Sequence, residues 1–123
     1  MKNGRESHRL GRQAEQQALQ FLTGSGLKFL GKNFRAAHGE IDLILQDGDT
    51  VVFVEVRSRS DPGYMEAVES IDSRKVNSII QTSRRYLQIN GISESALCRF
   101  DVVTLTGKPR APKIEWIKNA FEA

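Results

Sequence analysis

Two alternating stretches hinged on Gly48-Asp49 constrain this chain more than any other feature. From Thr50 to Arg59, Val52, Val54 and Val56 fall on one face of a strand, and Val51, Phe53, Glu55 and Arg57 on the other. From Glu40 to Gln46, Ile41, Leu43 and Leu45 alternate with Glu40, Asp42 and Ile44. A two-residue turn with glycine first suits type II′ geometry and joins the two stretches as a hairpin. That turn sets the register. It puts Asp47 opposite Thr50, Asp42 opposite Glu55 and Glu40 opposite Arg57, with the last four side chains on one face. Opposed Cβ atoms are about 5 Å apart, where two carboxylates repel by roughly 3 kcal/mol at an effective dielectric near 20. Such a face needs a cation. A divalent metal with oxygen ligands is one solution; a salt-bridge ladder neutralised by Arg57 is the other.

The rest of the chain supplies elements on either side. Leu10, Ala14, Ala18, Phe21 and Leu22 recur at helical spacing and predict a helix from Ser7 to Thr23, ended by Gly24, Ser25 and Gly26. Leu27 to Arg35 predicts a first strand, weakened by Gly31. Pro62-Gly63 marks a turn within Ser60 to Tyr64. Ser70 or Asp72 caps a second helix running to Gln88, with Val76, Ile79, Ile80 and Leu87 as its apolar stripe. Leu97 to Leu105 and a short Ile114 to Ile117 complete the strands. A meander followed by a crossover helix implies an α/β domain with a mixed sheet flanked by helices.

Composition narrows the class. The 123 residues fit one domain spanning 1–123, and 39% apolar with 27% charged residues is ordinary for a globular protein. The first residues are polar and basic without an apolar segment, so no signal peptide is expected. No apolar run approaches the roughly 20 residues of a membrane span. The single cysteine, Cys98, lies in an apolar run and is read as a core residue. These points suit a reducing, cytoplasmic setting with no membrane partner. The net charge of +3 favours phosphate-bearing partners only slightly.

Six segments then follow one another in an order that carries a resemblance: Gly11 to Glu15, Asn33-Phe34-Arg35, Gly39 to Ile44, Val54 to Arg57, Lys75, and Arg99 to Val103. Together they resemble the YraN-like family of uncharacterised bacterial proteins, which look distantly related to restriction endonucleases and archaeal Holliday-junction resolvases. The resemblance covers nearly the whole chain. It implies a restriction-endonuclease-like three-layer core with a mixed five-stranded sheet, and a metal-dependent phosphodiesterase site. Asp42 and Glu55 would bind Mg²⁺ or Mn²⁺ with the backbone carbonyl of Val56. Glu15 would reach in from the first helix, with Gly11 allowing that helix close to the sheet. The superfamily signature ends in lysine two residues after the glutamate, and Arg57 stands there. Arginine stays protonated and cannot accept a proton, yet it can stabilise developing negative charge. Lys75 is the candidate for the missing ammonium.

Other residues frame the partners. Arg5, Arg9 and Arg12 form a basic stripe, and Arg57, Arg59, Arg74, Lys75, Arg84 and Arg85 add charge around the second helix. Arg9, Arg12, Arg59 and Arg84 are the expected nucleic-acid contacts. His38 reads as a loop residue, Asp101 as an anchor for Arg99 or a buried backbone donor, and Tyr86 and Trp116 as core or core-rim aromatics. Ser58 to Ser70 is the least regular segment, expected to gate substrate or join two copies; resolvase-like relatives suggest a homodimer. Three functions follow: a nuclease acting on structured DNA in repair or recombination, a non-catalytic nucleic-acid-binding module of the same fold, or an assembly domain whose acidic face is only a salt-bridge ladder.

Overall fold

The computed structural model describes residues 4–59 and 71–122, with side chains from residue 9 onward. The Arg5 side chain, the Pro62-Gly63 turn, the alternative cap Ser70 and most of the proposed gating segment lie outside what is described. The elements are α1 (Gly4–Gly24), β1 (Lys28–Ala36), β2 (Gly39–Asp47), β3 (Thr50–Arg59), α2 (Ser73–Ile89), β4 (Cys98–Thr106) and β5 (Lys113–Phe121). The chain is an α/β fold with one sheet in the order β1-β2-β3-β4-β5. Three antiparallel strands form a meander, α2 crosses over to bring β4 parallel to β3, and β5 returns antiparallel. Among the described residues no helix is long and apolar enough to cross a membrane.

The helices cover opposite faces. Ala14, Ala18 and Leu22 of α1 pack on Leu43, Leu45, Val52, Val54, Val103 and Leu105. Ile79 and Leu87 of α2 pack on Ile41, Ile44, Val51, Phe53 and Phe100. The two alanines bring α1 close to the sheet. Gly11, expected to do this, is exposed, and a Cβ there would meet nothing within 4 Å. It points away from the sheet, so close approach is not its role.

Asp72 caps α2, its Oδ1 accepting the Lys75 backbone N–H at 2.9 Å. The stripe read from sequence omitted Thr82 and Ser83. Both are buried, with hydroxyls donating back to the carbonyls of Ser78 and Ile80, which satisfies them without a distant partner. Small side chains also let β2 come near. Gly39 has φ +152°, and a Cβ there would collide with the Ser78 hydroxyl, which donates to the His38 carbonyl. The β1–β2 turn is thus tied to α2, and His38 serves it as an exposed loop residue.

The hairpin forms as its turn dictates. Gly48 has φ +62°, and the ladder runs in register from Asp47↔Thr50 to Leu43↔Val54. Beyond that pair three expectations fail. Asp42 is not held as a ladder partner of Glu55, because its carboxylate takes the Val56 backbone N–H at 2.9 Å. Glu40 does not meet Arg57; it pairs with Arg35 of β1, Nε to Oε1 3.5 Å. Ile41 does not share the core of Leu43 and Leu45 but joins Ile44 on the α2 side. The strand alternation breaks at Asp42, opposite the stretch of β1 where Asn33 adopts φ +52°.

Strand β5 is also longer than Ile114 to Ile117. A register shift between Phe100 and Val102 carries it on to Phe121, which stacks on Phe100 at 5.1 Å. Asn119 sits in that irregularity with φ +53°. The polar Lys118-Asn119 pair hid the continuation in the sequence.

Candidate functional site

Strand β3 delivers Glu55 and Arg57 to the α2 face, because residues two apart share a side with Val51 and Phe53. Glu55 is 8% exposed, and its Oε1 faces Arg57 Nη2 at 3.5 Å and Lys75 Nζ at 3.7 Å. Lys75 is positioned by the Asp72 cap at the first turn of α2. Strand β2 delivers Asp42, whose Oδ2 is occupied by the Val56 amide. Helix α1 delivers Glu15 from the other face, in a groove it shares with Asn33 of β1.

These carboxylates are too many for their counter-charges. Burial, with the charge of Asp42 next, raises Glu55 to about 7 against the pull of Lys75 and Arg57. Burial also raises Asp42, and Glu40 adds to this, while the Val56 hydrogen bond, Lys75 and Arg57 work the other way. Glu15 is raised by burial and by Asp42, and held back by Asn33. Asp42 links the three, its charge raising both Glu55 and Glu15, and acids shifted by burial and a like charge cluster at functional sites.

Among the described residues no three acid, histidine or cysteine side chains converge to cage an ion alone. The donors fit a hard divalent ion in a more open way. The Val56 N–H points at Asp42, and the N–H and C=O of one strand residue emerge toward the same edge. The Val56 carbonyl therefore emerges on the β2 edge of β3, beyond the last β2–β3 pair. Two carboxylates and one carbonyl give an all-oxygen set that leaves places for water and phosphate oxygens, as Mg²⁺ prefers. Arg57 Nε is buried with no hydrogen-bond partner among the described residues. An anionic ligand oxygen would supply one.

Of the expected nucleic-acid contacts, Arg9 and Arg12 adjoin the site. They line a groove of about 360 Å³ with Glu15, Lys32 and Asn33. Arg59, at the end of β3, donates to the carbonyl of Ser58. Arg84 lies elsewhere, nine residues along α2 from Lys75 and so roughly 14 Å down the axis. It borders a separate cavity of about 530 Å³ with Cys98, Phe100 and Phe121. Arg74 and Arg85 are exposed on α2.

Asn33 escaped the sequence reading as a site residue. Its signal was present: an asparagine inside an apolar strand pattern, the residue type that most readily tolerates positive φ after glycine.

A second buried carboxylate has a different character. Asp101 is 1% exposed and accepts four hydrogen bonds: two from Arg99 Nε at 3.0 and 3.2 Å, one from Trp116 Nε1 at 2.8 Å and one from the Asn119 amide at 2.9 Å. Arg99 reaches on to Asp47 at 2.9 Å. The anchoring expected of Asp101 is what the structure shows. Trp116 and Tyr86 take core-rim places, Tyr86 edge-on to Phe34 and Phe53.

The profile of the Uncharacterised protein family UPF0102 matches residues 14–105. A UPF0102 protein of Stutzerimonas stutzeri (strain A1501) is 47% identical over 118 residues, covering 96% of this chain and 98% of its own. One of Pseudomonas aeruginosa (strain LESB58) is 48% identical over 122 residues, covering 97% and 98%. One of Alkalilimnicola ehrlichii is 46% identical over 113 residues, covering 92% and 86%.

Proposed function

The chain belongs to the uncharacterised protein family UPF0102, and we propose that it is a divalent-metal-dependent nuclease that hydrolyses phosphodiester bonds in structured DNA, in repair or recombination. The resemblance to restriction endonucleases and Holliday-junction resolvases motivates the reaction class. The observation that carries the reading is Glu55, buried beside Asp42 with its carboxyl raised to about 7 despite two cations within 4 Å.

Asp42, Glu55 and the Val56 carbonyl would hold Mg²⁺ or Mn²⁺. Such an ion, when bound, lowers the pKa of a coordinated water and offsets phosphate charge. Arg57 would serve as a fixed positive charge beside the phosphate oxygens as negative charge builds there. Lys75 puts an ammonium 3.7 Å from the same Glu55 oxygen. It therefore stands where the missing signature lysine would be useful, as a second positive charge beside the metal-binding acids. Asp42 gives one oxygen to the Val56 amide, which fixes its rotamer and leaves the other oxygen for the ion. Glu15, beside Asn33 in the α1–β1 groove, adds a third acid on the α1 side.

The test is cleavage of labelled branched, single-stranded and duplex DNA with Mg²⁺ or Mn²⁺. Asp42→Asn and Glu55→Gln should each lower the rate at least a hundredfold while circular dichroism stays that of the parent. Full cleavage by either variant would remove the site from the reaction. Arg57 favours a second reading, a binding module that no longer cuts. It predicts salt-dependent DNA affinity without turnover, with cleavage appearing in Arg57→Lys.

A further inference from the structure

We propose that the groove between α1 and β1 takes one unpaired polynucleotide strand and leads it to the carboxylates; this rests on the nucleic-acid reading of the site. The groove has two unlike walls. On α1, Arg9, Arg12, Gln13 and Gln16 recur at i, i+3, i+4 and i+7, so they form one polar stripe along the helix. On β1, Lys32 and Asn33 face them. The floor is apolar, built by Leu19 and the buried Leu43.

This order has a direction. The two arginines come first along the helix and suit successive phosphates of one strand. The two glutamines come next and present amide donors and acceptors above the apolar floor. A base has an apolar face with polar edges, and guanidinium planes can stack on such faces. A strand still paired in a duplex would offer the arginines its phosphates but turn its base edges to its partner, leaving the amides unmatched. At about 360 Å³ the groove is at the small end of ligand pockets, which span roughly 300–1,000 Å³. Glu15 lies in the same groove and is also the α1 member of the acidic site. Asn33 belongs to both as well, so the strand path and the reacting end share a wall. Its positive φ turns β1 where the path meets Asp42.

The experiment measures binding without cleavage. A fluorescein-labelled 12-mer of mixed sequence, as DNA and as RNA, and its duplex are titrated with the full chain in EDTA over a range of salt, read by anisotropy. The parent should bind the single strand at least tenfold tighter than the duplex. Arg9→Ala/Arg12→Ala should reduce the slope of log affinity against log salt by about 1.4, the value for two phosphate contacts on a single strand. Gln13→Ala/Gln16→Ala should weaken binding roughly fivefold, a lost hydrogen bond's worth, with the slope unchanged. Unequal DNA and RNA affinities would name the sugar. Equal binding of single strand and duplex, no binding of either, or parental binding by both double variants would each overturn the groove. Loss of the groove with cleavage still dependent on Asp42 and Glu55 would leave the nuclease reading intact. A single-strand preference in a chain that never cuts would retain the groove and remove the nuclease.

Discussion

Asp101 and Glu55 sit on neighbouring strands of one sheet and are almost equally buried, yet they are furnished in opposite ways. Asp101 accepts four hydrogen bonds, including both oxygens on Arg99 and one on the only tryptophan. Glu55 has two cations at 3.5 and 3.7 Å and a like charge beside it. A fully satisfied buried acid fixes structure: it ties β4 to the irregular end of β5 through Asn119 and to β2 through Arg99 and Asp47. An under-satisfied pair of acids costs the fold, and such pairs cluster at functional sites. The contrast separates the acid that holds the sheet together from those that would work on a ligand.

The largest expected break in that comparison is Asp101→Ala. It strands Arg99 and the Trp116 and Asn119 donors, and should lower unfolding free energy by about 3–5 kcal/mol, read by urea denaturation. If Asp101→Ala costs no more than Glu55→Ala, the two acids do not differ as described.

The second effect is pH-dependent and has the opposite sign. Glu55 titrates near 7 when folded and near its ordinary 4.5 when unfolded. Between those values the folded state holds a proton that the unfolded state has lost, so stability falls as pH rises from about 4.5 through 7. The metal-free parent should be less stable at pH 8 than at pH 5 by up to the order of 3 kcal/mol. Glu55→Gln should flatten that dependence and match or exceed the parent at pH 8. A parent that gains stability toward pH 8 at this site would sink the assignment.

A smaller change sharpens the comparison. Lys75 is partly exposed and 3.7 Å from Glu55, so Lys75→Met should cost less than about 1 kcal/mol. It should nonetheless reduce cleavage at least tenfold if its ammonium assists the reaction. Parental cleavage with reduced stability would make Lys75 a structural cation only.

Much of this contrast was readable beforehand, and the residues show why. Gly48-Asp49 and the alternating valines specified the hairpin and its register, because a two-residue turn and a period of two leave little freedom. Asp72 was legible as a cap, and Asp101 as an anchor amid apolar neighbours. The failures cluster where the chain leaves regular geometry. Asp42 abandons the ladder for the Val56 amide, Ile41 changes face, and Asn33 turns through positive φ, none of which periodicity can express. Glu40 found Arg35 on β1 because the ladder with β3 had already ended. Gly39 matters through Ser78, 39 residues away, and a glycine's neighbour across the fold leaves no local trace.

The most direct test of the central claim, that Asp42 and Glu55 are acids awaiting a cation, is a calorimetric titration of Mn²⁺ and Mg²⁺. It would use the parent and Asp42→Ala, each alone and with an uncleavable phosphorothioate strand. The parent should bind in at least one condition, and the variant should lose that binding under the same condition. No binding by the parent in either condition, or equal binding by Asp42→Ala, would contradict the claim and leave Arg57 and Lys75 as the cations these acids already have.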